Sequence, residues 1–145
     1  MESIRSVAVI GAGQMGRGNP QGAAANGLDV ALADASLELA EKGLRQIAAG
    51  LEKLVAKGKL EAEARDALLA RIRPIGPDAS LAGTDLAVEA ATENLPVKQA
   101  ILRSLDERLP EGAILATNTS SISITKLAAV TRRPELVVGM HFMNP

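Results

Sequence analysis

The segment "VAVIGAGQMGRG" places Gly11, Gly13 and Gly16 at G-x-G-x-x-G spacing directly after a short apolar run. Gly11 permits a tight turn, Gly13 lets backbone approach a pyrophosphate, and Gly16 lets a helix pack closely on a strand. The amides of the first helical turn, Gln14 and Met15 among them, then face phosphate oxygens, whose charge the helix dipole favours. Asp34 stands 18 residues after Gly16, at the end of a second apolar run. An acid there accepts hydrogen bonds from the adenosine ribose and repels a 2′-phosphate, which favours NAD over NADP. A plainer reading makes this a tight strand–helix turn with Asp34 as a helix N-cap. It accounts for Asp34 but not for three spaced glycines.

Such a loop needs a sheet behind it. Apolar runs at residues 6–11, 29–34, 85–90, 112–118 and 135–142 read as strands. Between them, Leu37, Ala40, Leu44, Ile47, Ala48, Leu51, Leu54 and Val55 recur with period 3.6, a long helix stopped by Gly58. Leu60, Ala64, Ala67, Leu68 and Ile72 mark another helix, stopped near Pro74. A third helix puts Val97, Ile101, Leu105 and Leu109 on one face, with Asn94 as cap and Pro96 in the first turn. A short one covers residues 124–130. Strands alternating with helices predict an α/β fold of the Rossmann type: a doubly wound, mainly parallel sheet, helices on both faces, in one domain over residues 1–145.

One stretch disagrees with its neighbours. A first helix from Gln14 to about Asn26 would turn Met15, Asn19, Gly22 or Ala23, and Asn26 inward. Pro20 in its interior removes a hydrogen bond and clashes, at about 3 kcal/mol or more. Gly22 adds about 1 kcal/mol relative to alanine. The helix is expected to be kinked or frayed; the alternative is a restart with Asn19 as cap and Pro20 as first residue.

Composition narrows the chemistry. The 145 residues contain no cysteine and one histidine, so disulfides, thiolate catalysis and histidine-rich metal sites are excluded. A net charge of −1 offers no footprint for nucleic acid or an anionic membrane. The amino-terminal residues carry no signal-like apolar stretch, and no run is long enough for a membrane span, so a cytoplasmic location is expected. Phe142 is the single aromatic residue, so the core must be aliphatic and no aromatic platform can hold a base.

With these residues in view, the chain resembles the NAD-binding domain of the 3-hydroxyacyl-CoA dehydrogenases, including 3-hydroxybutyryl-CoA dehydrogenases. The likeness rests on "VAVIGAGQMGRG", "LEKLVAKGKL", "DLAVEAATENLPVKQAIL" with "ILATNTSSISI", and "GMHFMNP", in that order. It implies reversible hydride transfer between the 3-hydroxyl carbon of an acyl-CoA and NAD, in fatty-acid metabolism. It further implies that His141 is the general base, chemistry that suits an imidazole titrating near neutral pH. Ser120 of "NTSS" would hydrogen-bond the substrate oxygen beside the nicotinamide, Asn144 would lie near that ring, and Glu93 and Lys98 would contact the cofactor. Lys57 would contact a CoA phosphate. Plainer readings stand beside these: a turn or cap for Ser120, a helix-start acid for Glu93, a solvated lysine for Lys98, and a routine last-turn lysine for Lys57.

The resemblance also implies a glutamate about a dozen residues beyond His141, orienting the imidazole. It implies a helical C-terminal domain that closes the acyl-CoA site and makes a homodimer. Neither is in this chain, which is therefore expected to bind NAD with little or no turnover. Two other functions compete: a non-catalytic NAD(H)-binding structural module of the same superfamily, and an oxidoreductase of the 3-hydroxyisobutyrate or 6-phosphogluconate type. The last shares the glycine loop but lacks "NTSS" and "HFMNP".

Overall fold

The computed structural model describes residues 4–11, 18–90, 94–118 and 123–140, the side chains of 18–20 and 140 excepted. Six strands form one sheet: β1 (Ser6–Ile10), β2 (Asp29–Ala33), β3 (Ile72–Ile75), β4 (Leu86–Glu89), β5 (Ile114–Asn118) and β6 (Val137–Met140). Their order is β3-β2-β1-β4-β5-β6, and every pairing is parallel. The order reverses between β1 and β4, which makes a crevice at the carboxyl ends of those strands.

Alternation along the strands sends side chains to two cores. On one face Ala8, Ile10, Ala33, Ala87 and Leu115 meet Leu102 and Leu105 of α4 (Leu95–Arg108) and Leu127 of α5 (Ile124–Ala128). On the other, Val7, Val9, Leu32 and Val88 meet Ala24 of α1 (Gly18–Ala25), Ile47 and Leu51 of α2 (Leu37–Ala56), and Leu68 of α3 (Ala62–Ala70). Both cores are aliphatic, as the composition requires.

The helix ends follow local chemistry. Ser36 caps α2 by accepting from the Leu39 N–H at 3.2 Å, so the cap is not Asp34. Asn94 Oδ1 caps α4, accepting from the Val97 N–H at 3.1 Å, with Pro96 in the first turn. Two helices end in Schellman motifs: Leu28 N–H reaches the Ala23 carbonyl past Gly27, and Lys59 N–H reaches the Leu54 carbonyl past Gly58. Both glycines have positive φ, +84° and +72°.

Three expectations are corrected. Ile72 and Pro74 do not end a helix: α3 stops at Ala70, and residues 72–75 form edge strand β3, paired with β2. Proline is tolerated there because an edge strand needs ladder bonds on one side only. On α4 the buried face is Lys98, Leu102, Leu105 and Asp106, whereas Val97 is 49% exposed. In α1, Ala24 is buried while Gly22 and Asn26 are exposed. Gly18, Asn19 and Pro20 all lie within α1, so Asn19 is not a cap. The expected helical start at residues 14–17 lies outside the described residues.

Candidate active site

Because all six strands are parallel, their carboxyl ends share one edge of the sheet. Four segments carrying predicted site residues each follow such an end: 12–17 after β1, 91–93 after β4, 119–122 after β5 and 141–145 after β6. Gly13, Gln14, Met15, Gly16, Glu93, Ser120, His141 and Asn144 belong to these segments and lie outside the described residues. Gly11, Asp34, Lys57 and Lys98 are described.

Gly11 is buried at the end of β1 with φ +109°, a conformation closed to most L side chains. Its N–H donates to the Ala33 carbonyl at 2.8 Å, while the Ala90 N–H donates to the Ile10 carbonyl at 2.9 Å. These bonds hold the ends of β2, β1 and β4 side by side. Asp34 follows β2 directly, half-buried, and its Oδ1 accepts from the Ala35 N–H at 2.7 Å.

Gly11 and Asp34 open onto a groove of about 680 Å³ between the strand ends and α4. Its lining is mostly apolar, with Ile10, Ala33, Pro96, Val97 and Ile101 prominent, and Ser104 and Arg108 lie toward the far end of α4. Val97 is therefore on the groove-facing side of the helix, which explains its exposure. An apolar slot with a few polar groups at its mouth suits a planar base held by aliphatic contacts, with an acid for a ribose.

Lys98 sits on the buried side of the same helical turn, with no solvent exposure. This overturns the solvated reading. Its Nζ donates to Glu89 Oε1 in an ion pair buried on both sides, and to the Asn118 carbonyl at 3.3 Å. Thr117 Oγ1 donates to the same Glu89 oxygen at 2.8 Å. Glu89 and Thr117 are paired residues on β4 and β5, pointing to the α4 face like Ala87 and Leu115. Sequence reasoning missed both. The signal available was an acid inside the apolar strand "LAVEA", since a charge buried there demands a partner.

Lys57 is not brought to this groove. It is the exposed C-cap of α2. At 1.5 Å per residue, the 20-residue helix sets it roughly 30 Å from the Ser36 end.

A second depression, of about 330 Å³, lies at the other end of α4 beside Asp106, Arg132 and Arg133. Asp106 is buried there. Desolvation alone would raise its pKa, but the Arg132 N–H and the Arg133 side chain donate to it and hold it below the ordinary carboxylate value.

Residues 6–145 match the family model described as 3-hydroxyacyl-CoA dehydrogenase, NAD binding domain. The chain is 45% identical to a 3-hydroxyadipyl-CoA dehydrogenase of Escherichia coli (strain K12), over 100% of its own length and 30% of the relative's. It is 45% identical to a 3-hydroxybutyryl-CoA dehydrogenase of Bradyrhizobium diazoefficiens, over 98% of the chain and 48% of the relative. The crystal structure of (S)-3-hydroxybutyryl-CoA dehydrogenase PaaH1 from Ralstonia eutropha superimposes with a TM-score of 0.94 at 46% identity, covering 99% of this chain and 50% of that one. The chain thus spans half or less of the length of these relatives.

Proposed function

We propose that this chain, which belongs to the family of NAD-binding domains of 3-hydroxyacyl-CoA dehydrogenases, is the cofactor-holding part of such an enzyme. The reaction is reversible hydride transfer between the 3-hydroxyl carbon of an acyl-CoA and NAD. The observation that carries the reading is the groove at the β1/β4 switch point, with Gly11 and Asp34 at one end and a buried lysine beneath the ends of β4 and β5.

NAD, when bound, supplies the hydride acceptor. The chain's own residues divide the remaining work. Gly11, Gly13 and Gly16, with the amides of Gln14 and Met15, form the pyrophosphate loop, and Asp34 accepts from the adenosine ribose. Glu93, Lys98 and Asn144 serve the nicotinamide half. His141 takes the hydroxyl proton, Ser120 orients the substrate oxygen, and Lys57, remote from the groove, holds a CoA phosphate. A helical second domain that closes over the acyl-CoA, and dimerisation through it, belong to the same reading. So does a cytoplasmic location; among the described residues no helix is long and apolar enough to cross a membrane.

The test supplies acetoacetyl-CoA and NADH to this chain and to the chain extended past Pro145 by a relative's helical domain. We expect NADH binding by both, NADH oxidation by the extended protein, and its loss in His141→Ala. An extended protein that binds NADH without oxidising it, and in which His141→Ala changes nothing, would leave only a nucleotide-binding module.

A further inference from the structure

Glu89 touches no part of the groove, yet its carboxylate and the Lys98 ammonium are both withdrawn completely from solvent. Burying two charges is offset only by good geometry and further hydrogen bonds, and apolar residues of similar volume often serve a core equally well. Glu89 Oε1 has those bonds, accepting from Lys98 Nζ and from Thr117 Oγ1. The pair therefore calls for a role besides stability, and its position supplies one. Glu89 ends β4, two residues before the 91–93 segment; Asn118 ends β5, next to the 119–122 segment. Lys98 spans the two strand ends, bound to the Glu89 side chain and the Asn118 carbonyl. An ammonium has three N–H donors. Among the described residues two acceptors take two of them.

We infer that Glu89 is a positioning residue for the nicotinamide half of the cofactor. Resting on the cofactor reading above, the inference is that Glu89, steadied by Thr117, fixes Lys98 so that one N–H clamps the strand end leading to Ser120. Another stays available to the ligand. Glu89 itself contacts no cofactor. The adenosine half is bound across the β1–β2 side at Asp34, so it does not sense this network.

The experiment compares NADH with ADP, which lacks the nicotinamide half, in titrations of the unaltered chain, Glu89→Gln and Thr117→Val. We expect Glu89→Gln to weaken NADH binding about tenfold while ADP binding changes less than twofold, and Thr117→Val to do the same to a smaller extent. A merely structural role would weaken both ligands in parallel, and that result overturns the inference, as does unchanged NADH affinity. If Glu89→Gln does not fold, the NADH-to-ADP affinity ratio of Thr117→Val decides: a fall supports the role and an unchanged ratio overturns it. Failure of the unaltered chain to bind NADH would instead overturn the cofactor reading, and this inference with it.

Discussion

Helix α4 carries a buried ion pair near each end, and the two are built on opposite principles. At its C-terminal end, Arg133 Nε donates to Asp106 Oδ1 at 2.7 Å. Its remaining donors reach the carbonyls of Pro110 and Ala113 through Nη1, and those of Asp106 and Leu109 through Nη2. A guanidinium has five N–H donors, and all five are used. The arginine thereby satisfies the carbonyls of Asp106 and the C-cap Leu109, which the helix end leaves without partners, and two carbonyls of the chain beyond it, and sets a cation where the helix dipole favours one. At the N-terminal end, Lys98 has three donors and two acceptors among the described residues. A saturated charge is finished as structure. An unsaturated one has a donor left over, and the role proposed for Glu89 and Lys98 draws on it.

This contrast can be broken by experiment. The largest effect is expected from Arg133→Met, which strips buried Asp106 of its buried cation and leaves it only Arg132, whose guanidinium is exposed: about 3–5 kcal/mol lost in urea unfolding, with the NADH affinity of the folded fraction unchanged. If NADH affinity falls as well, the two ends are not functionally separate. The double variant Glu89→Gln/Lys98→Met removes the other pair as a unit. It should stay within about 2 kcal/mol of the parent in unfolding, since replaced pairs are often neutral, yet lose most NADH binding. Retained NADH binding would reduce the pair to packing.

A smaller effect is expected from pH, at Asp106 and at Asp85, the residue before β4. Asp106 is held low by the Arg132 N–H and Arg133 despite desolvation; Asp85 is held low chiefly by the Arg5 N–H at 2.9 Å and then the Ser6 N–H at 3.1 Å. A carboxyl whose folded pKa is depressed contributes stability that is fully present above its unfolded pKa, near 4. That contribution is lost as pH falls through the folded pKa. The unfolding free-energy gap between the parent and Asp106→Asn or Asp85→Asn should therefore be constant from about pH 7 to 5 and shrink below about pH 4. A gap that widens on acidification would contradict the assignment. The smallest effect is Gly22→Ala. A Cβ at this exposed helical position meets nothing within 4 Å, so a gain of up to about 1 kcal/mol is expected in thermal or urea unfolding.

Much of this molecule was legible in its sequence where local chemistry decides the outcome. Gly27 and Gly58 end helices because only a residue tolerant of positive φ closes a Schellman motif, and Asn94 and Pro96 mark a helix start for equally local reasons. Short apolar runs marked five of the six described strands in order, and period-3.6 patterns marked helices between them. What stayed hidden depends on tertiary partners. Strand β3 was concealed because Ile72 continues the helical spacing of Leu60, Ala64 and Leu68, and because Pro74 argues against a strand until the strand is known to lie at an edge. The faces of α4 were misjudged because hydrophobicity does not separate a core-facing valine from a groove-facing one, or a solvated lysine from one matched to a buried acid 9 residues earlier. That Gly11 and Asp34 directly follow β1 and β2 was readable from spacing, while Glu89 and Thr117 meet only when β4 pairs with β5.

Pro74 has a consequence for how this protein behaves at high concentration. The Val30 N–H bonds to the Arg71 carbonyl, so in a parallel ladder residues 71, 73 and 75 address β2, and the nitrogen of Pro74 faces outward. No bond within the sheet is lost, but a foreign strand arriving along that edge finds a ring where it needs a donor, beside the exposed charge of Arg73. Aggregation by edge-to-edge pairing is discouraged on that flank. The flank formed by β6, with Val138 and Gly139 exposed, has no proline within the strand and, among the described residues, no such guard.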